Sequence, residues 1–238
     1  MNSQRTRNGR VCRQERYPRY LIVELGLPQV IKCSSLKFYS RSEIVGSTVE
    51  NLESIARKRM TVVEDTVHSF EHVERIFKTA TFLAEEEKAD IELVQIGALL
   101  HDLGWTVGTP HHETGAKVAD KILKELGYPE ERRDKVVKIV LHHHLDLRDK
   151  LETLEERIVW DADKIDILRI LGIVRAFHLL GSSPFTSVVK EAFKKLTAIY
   201  PLLNTQTAKT IAEKRHRETM DLLNKLREEL SLEDLQIY

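Results

Sequence analysis

The amino-acid sequence predicts an all-α protein, with a single main helical domain preceded by an irregular N-terminal extension. Hydrophobic residues make up 42% of the 238 residues and aromatic residues only 6%, a composition that favours helices packed on helices. From about residue 48, apolar positions recur at helical spacing almost to the end of the chain. The breaks between these segments are short, as expected for a compact helical domain.

Capping residues and chain breaks divide this region into helices. Ser69 and Asp90 are favourable N-caps, and Gly127 with Pro129 ends a helix. Pro184 and Pro201 mark later breaks. We expect helices over residues 48–63, from Ser69 onward, from Asp90 to His101, and over 112–126, 130–145, 151–162, 185–199 and 205–230, with a strongly apolar stretch over 163–180.

Residues 1–47 form a basic extension, whereas the main domain spans 48–238. The first 60 residues contain twelve Lys and Arg but five Asp and Glu, although the net charge of the whole chain is zero. The extension is interpreted as a solvated tail, because the rest of the chain is not basic enough for a nucleic-acid-binding body. A nucleic-acid-associated protein that uses this tail is an alternative, which deleting residues 1–46 would test. Residues 20–25 have the pattern of a short strand.

Several protein classes are excluded by composition. Cys12 and Cys33 are the two cysteines, too few for a disulfide framework. The apolar runs are too short to cross a membrane, and no secretory signal pattern is present. A cytoplasmic protein is therefore expected. The last helix has apolar positions that suit core packing and a homodimer seam equally well.

The histidines are concentrated in one part of the chain, since eight of the ten lie between residues 68 and 144. Among them, His101 and Asp102 follow two leucines at the end of an apolar helix. An adjacent imidazole and carboxylate are costly in an apolar environment unless a partner compensates them. A bound divalent cation removes this cost, because neutral histidine and ionised aspartate are both metal ligands.

A second group of acids lies within the apolar segment that contains Asp161 and Asp163. These acids indicate either a metal site or a buried ion pair with Lys164 or Arg169, and this motif alone leaves both open. His72 lies on the apolar face of its helix, where a single histidine is more often a core residue than a ligand.

Together these motifs resemble the HD superfamily of metal-dependent phosphohydrolases, whose pattern is H…HD…D. The match runs over residues 68–180, and the resemblance implies an HD-domain helical bundle. It also implies that a divalent metal is held by His72, His101, Asp102 and Asp163, since the family's last ligand precedes a basic residue. Residues 172–177 and 212–216 are similar to small bacterial and archaeal HD hydrolases, which act on nucleotides or related phosphates.

The resemblance suggests further residues around the metal. His68, His112, His143 and His144 are candidates for a second metal site or for binding substrate phosphate around one metal. One metal is favoured, because no bridging carboxylate is evident. Manganese, iron, nickel, cobalt or zinc suits two histidines and two carboxylates better than magnesium. His111 is expected in solvent and His142 on the outer face of its helix.

The resemblance also implies roles in hydrolysis of a phosphate ester or anhydride, with a small phosphorylated molecule, a nucleotide in the leading hypothesis, as substrate. Asp102 would be both a ligand and a partner of the attacking water. Lys164 would neutralise phosphoryl charge, and His112 would bind phosphate or protonate the leaving oxygen. Arg75 is either a substrate contact or part of a structural salt bridge. The alternative class is a regulatory HD domain that binds metal or nucleotide without turnover.

Overall fold

The prediction of an all-α fold is confirmed by the structure, a computed structural model that describes residues 41–61, 68–180 and 184–231. For residues 41–47 and 180 it describes the backbone alone. Over these ranges every regular element is helical. The expected strand at 20–25, both cysteines and most of the 181–184 break lie outside the described residues.

Long helices joined by short connections make up the described chain. Two of the connections are 3₁₀ turns, Leu103–Thr106 and Leu145–Lys150. The α-helices are α1 (Arg41–Met60), α2 (Phe70–Glu87), α3 (Ile91–Leu100), α4 (His111–Glu125), α5 (Glu130–His142), α6 (Leu154–Asp166), α7 (Arg169–Leu180), α8 (Phe185–Leu202) and α9 (Gln206–Ser231).

The helix ends follow local chemistry in most places. The Asp90 side chain accepts from the Leu93 N–H at 3.2 Å, and the Thr153 hydroxyl accepts from the Glu156 N–H at 3.2 Å, so α3 and α6 are both capped. Ser69 occupies the N-cap position of α2, but its side chain makes no capping hydrogen bond. Lys88 ends α2 in the left-handed conformation, with φ of 58°.

The core is centred on α3, which is almost entirely apolar and buried. It packs against α1, α2, α5 and α6, so its C-terminal end lies among the side chains of these helices. A smaller apolar cluster, built from Ile173, Leu196 and Leu223, joins α7, α8 and α9. Burial of these faces is the main stabilisation of both regions.

The sixth helix differs from the prediction in a way that matters for the site. It was expected over 151–162, but α6 runs from Leu154 to Asp166 because Thr153 caps its start. The helix therefore includes Asp163 and Asp166 and presents both acids on ordered backbone. Among the described helices, none is both long and apolar enough to span a membrane.

Candidate metal centre

His101 and Asp102 lie where α3 ends in the middle of the core. His101 is fully buried, and its Nδ1 donates to the Ala98 carbonyl oxygen at 2.7 Å. In the neutral ring this bond leaves the Nε2 lone pair available. Gly104 permits the turn that follows, since a Cβ there would lie 1.8 Å from the carbonyl oxygen of His111.

His72 comes to the same point from α2. Its Nδ1 donates to Asp166 Oδ2 at 2.8 Å, which directs Nε2 toward the acids. His72 Nε2 lies 3.5 Å from Asp102 Oδ2 and 3.4 Å from Asp163 Oδ1. The carboxylate of Asp166 thus orients a histidine in the way that outer carboxylates orient metal-binding histidines.

The donor atoms of these residues converge in a manner that fits a cation. His72, His101 and Asp102 each offer a ligand atom within 4.8 Å of the others, and Asp163 lies beside them. Among the described residues, buried His101 Nε2 has no hydrogen-bond partner, and it lies 3.4 Å from Asp102 Oδ2. Buried polar atoms are rarely left unpaired, so this nitrogen is accounted for if it ligates a metal.

The electrostatics of the group support the same interpretation. Burial alone lowers the pKa of His101, but the carboxylates of Asp102 and Asp163 outweigh burial and raise it to about 9. Burial raises the pKa of both acids, yet His101 beside Asp102 and Lys164 beside Asp163 hold each pKa well below its ordinary value. The acids therefore remain ionised, and a divalent cation can replace the proton on His101.

A second group of donors shares Asp102. His143 Nε2 lies 3.5 Å and His111 Nε2 3.9 Å from Asp102 Oδ1, and the two imidazole nitrogens are 3.1 Å apart. His143 Nδ1 donates to the Val140 carbonyl oxygen at 2.6 Å. Burial lowers the pKa of His143, and burial lowers that of His111 to about 3, so both rings are neutral. This group could also hold a metal ion.

Two expectations about the outer histidines are wrong. His111 was expected in solvent, but its side chain is only 14% exposed and its ring stacks on Trp105 at 4.3 Å. His142 was expected on the outside, but its Nδ1 is 2.8 Å from a carboxylate oxygen of the buried Glu156. Helical spacing could not reveal either contact, because both partners lie on other elements.

The other predicted histidines lie around the two groups without belonging to either. His68 precedes α2 and its ring stacks on Trp105 at 4.3 Å. His112 and His144 stack on each other at 4.6 Å. Neither of the cation groups among the described residues includes His68, His112 or His144.

The predicted basic residues are held by acids. Lys164 is buried, donates to the Asp163 carboxylate and contacts the His143 carbonyl oxygen at 3.2 Å. Arg75 donates to Asp166 through Nε at 2.7 Å and through Nη2 at 2.9 Å. A structural salt bridge of Arg75 is therefore present.

Sequence analysis missed two residues that organise the site. Asp166 accepts from His72 and Arg75 as described, and Arg175 of α7 donates to the same carboxylate at 2.8 Å. The signal for Asp166 was its spacing, because an acid three residues after Asp163 on a helix lies close to the same face. Asp161, by contrast, binds the backbone N–H groups of Asn204 and Thr205 in the loop between α8 and α9.

Comparison with known proteins places this site in a family, because the family model described as the HD domain matches residues 69–168. This part of the chain is an HD domain. The matched residues contain the candidate ligands, so the resemblance seen in the sequence is confirmed.

Two bacterial proteins are similar to this chain in sequence or in fold. YpgQ of Bacillus subtilis is 29% identical over 180 residues, which cover 70% of this chain and 86% of the relative. The crystal structure of YpgQ in complex with ADP has a TM-score of 0.65 and 24% identity, and covers 78% of this chain and 96% of that chain. An HD-superfamily hydrolase from Bacillus thuringiensis has a TM-score of 0.64 and 25% identity. The match covers 79% of this chain and 98% of that chain.

Proposed function

We propose that this protein is a divalent-metal-dependent phosphohydrolase that cleaves a phosphomonoester or phosphoanhydride, with a nucleotide as substrate. The observation that carries the proposal is the buried convergence of His72, His101, Asp102 and Asp163, with an unpaired Nε2 on His101. Two imidazoles and two carboxylates suit manganese, iron, cobalt, nickel or zinc better than magnesium.

The position of Asp102 bears on whether the site holds one ion or two. One ion at the four-residue group is the proposal that the sequence favoured, because no bridging carboxylate was evident there. In the structure, however, Asp102 Oδ2 faces His72 and His101 while Oδ1 faces His111 and His143. That arrangement suits a bridging ligand and supports a second ion as the alternative.

The protein's own groups can perform the remaining chemistry. When bound, the divalent ion acidifies a water molecule and neutralises charge on the phosphoryl group. In this proposal, Asp102 accepts a hydrogen bond from the attacking water. Lys164, beside Asp163, adds positive charge for the phosphoryl oxygens. Neutral His111 and His143 can each hold or transfer a proton at Nε2, and His112 remains the proposed donor to the leaving oxygen.

The nucleotide as substrate is supported by one neighbour. A crystal structure of YpgQ contains bound ADP, and the B. thuringiensis neighbour is described as a hydrolase. Both are similar to this chain in overall fold. The substrate class proposed for this chain is therefore a phosphorylated nucleoside.

The test is a metal add-back experiment with the full chain. Chelator-treated protein would receive manganese, nickel, cobalt, zinc or magnesium singly and be assayed for phosphate or pyrophosphate release from a panel of nucleotides and phosphate esters. Asp102→Ala is the inactive variant, and Asp120→Ala, an exposed acid on α4 that pairs with Arg133, is the matched control. We expect metal-dependent release that Asp102→Ala abolishes and Asp120→Ala retains.

Other outcomes distinguish the competing hypotheses. About one tightly bound metal per chain without turnover would favour the regulatory HD domain. Failure of the wild-type chain to bind any of the five metals would contradict the metal centre itself.

A further inference from the structure

Arg215 of α9 is a half-buried cation that the proposed mechanism does not use. Its side chain is half-buried, and within the described ranges its guanidinium forms no ion pair or hydrogen bond. Burial lowers the pKa of Arg215, and the positive charge of Arg169 lowers it further. The carboxylates of Asp166 and Glu218 act in the opposite direction, but both are paired with other arginines. A half-buried cation beside a like charge is costly unless an anion compensates it.

A hydrogen-bond chain fixes Arg169 and Arg215 relative to each other. The Arg169 N–H donates to Thr219 Oγ1 at 2.6 Å, and the same hydroxyl donates to the Arg215 carbonyl oxygen at 2.7 Å. Thr219 is fully buried, so water does not compete for these bonds. The backbone segments that carry the two arginines are thus joined through a buried hydroxyl.

Arg169 stands at a position that glycine would occupy more easily. Its φ of 70° lies in the left-handed region, which costs conformational energy for any residue with a Cβ. Its guanidinium binds Glu218 Oε2 at 2.7 Å and its side chain remains 45% exposed. Strained non-glycine residues are concentrated at ligand-binding sites, which supports a use for this side chain.

The two arginines border the candidate metal centre. Arg169 follows Asp166 by three residues, and Asp166 binds His72 directly. Arg175 shares the Asp166 carboxylate, and its Nε is buried without a hydrogen-bond partner. The positive charge of Arg169, Arg175 and Arg215 near Asp166 therefore exceeds the negative charge of Asp166 and Glu218.

We propose that Arg169 and Arg215 form an anion subsite for a phosphate group of the substrate other than the one that reacts at the metal centre. The substrate class would then be a nucleoside di- or triphosphate and not a monophosphate. This assignment to a substrate rests on the proposed function, whereas binding of the anion itself does not.

The test measures binding of inorganic pyrophosphate to the full chain by calorimetry. Arg215→Gln removes the charge with little change in size, and Arg215→Lys keeps the charge but loses the planar fork. Arg217→Gln is the matched control, because Arg217 lies on the same helix two residues from Arg215 and is exposed. Circular dichroism would establish that each variant is folded.

We expect Arg215→Gln to weaken pyrophosphate binding by roughly tenfold to hundredfold, the range for loss of a charge-assisted hydrogen bond. Arg215→Lys should fall between it and the wild type, and Arg217→Gln should match the wild type. With a nucleoside triphosphate, Arg215→Gln should raise KM while kcat changes little.

Two outcomes would overturn the subsite: wild-type protein that does not bind pyrophosphate, or Arg215→Gln that binds it as well as Arg217→Gln. Pyrophosphate binding that depends on Arg215 in a chain without turnover on any nucleotide would support the subsite and contradict the proposed hydrolase. The failures of the two proposals are thus distinguishable.

Discussion

Replacing Asp166 by asparagine removes a charge that three neighbouring side chains share, with little change in side-chain size. Asp166 accepts from His72 and Arg175 at 2.8 Å each and from Arg75 at 2.7 and 2.9 Å. A hydrogen bond to a charged group contributes about 1.5–3 kcal/mol, and an exposed ion pair less than about 1 kcal/mol. Arg75 is 37% exposed and counts at the lower value.

Since the asparagine oxygen can keep one of these bonds, the expected loss in the free energy of unfolding is about 3 kcal/mol at pH 7. Metal affinity should fall by roughly tenfold to hundredfold, because Nδ1 of His72 loses the carboxylate that orients the ring. Asp120→Asn, which alters a half-exposed carboxylate that pairs with Arg133 away from the metal centre, is the matched control. Its expected effect on either quantity is small.

The difference between wild type and Asp166→Asn should also depend on pH. Burial alone would raise the pKa of Asp166, but hydrogen bonds from His72 and Arg75 outweigh it and hold the pKa below its ordinary value. A carboxyl with a depressed pKa stabilises the fold above the unfolded value and loses this contribution as the pH falls. The gap between the two proteins should therefore shrink below about pH 4.

Urea unfolding at pH 7 and near pH 3 measures the loss in the free energy of unfolding and its dependence on pH. Calorimetric titration with manganese measures the change in metal affinity. The reasoning would be refuted if Asp166→Asn unfolded like Asp120→Asn at pH 7 and bound manganese within twofold of the wild type.

Three further predictions concern other residues of the site. Gly104→Ala should destabilise the fold by about 3 kcal/mol or more and abolish metal binding, because its Cβ would meet backbone 1.8 Å away. Gly115→Ala should destabilise the fold less, because its Cβ would meet backbone at 3.3 Å and the neighbours need shift by only a few tenths of an ångström; urea unfolding compares the two variants. Manganese affinity should rise about tenfold per pH unit between pH 7 and 9, because the metal displaces a proton from His101, whose pKa is about 9. Calorimetry in buffers of different ionisation enthalpy would measure the proton release. An affinity that does not change with pH would contradict the prediction. Asp161→Asn should lower stability by about 1–3 kcal/mol yet retain the metal, whereas Asp163→Asn should lose the metal; metal content after desalting separates them.

The sequence predicted the fold class and the helices well because the periodicity of apolar residues is a local signal. It also predicted which segments bring histidine and aspartate together, since those motifs occur in a recognisable order. The end of α6 was missed, because Thr153 starts the helix later than its apolar pattern suggested and the helix continues through the acids. The boundary between an extension at 1–47 and a domain at 48–238 stays a prediction, as does the cytoplasmic location.

The errors at the histidines have a different cause. His111 and His142 each follow a pattern that indicates exposure, but their partners, Trp105 and Glu156, come from other helices or turns. A one-dimensional pattern contains no information about such contacts. Residues that orient ligands, such as Asp166, are hard to find for the same reason.

Asp161, Asp163 and Asp166 show why spacing on one helix is nevertheless informative. A helix turns about 100° per residue, so acids three apart lie near each other, whereas acids two apart lie on nearly opposite sides. Asp163 and Asp166 accordingly meet His72 from one side of α6, and Asp161 turns away to bind Thr205. The helix thus carries one candidate metal ligand, one acid that binds His72 and one acid that binds the loop before α9. This division explains how these three carboxylates are tolerated within one helix of thirteen residues.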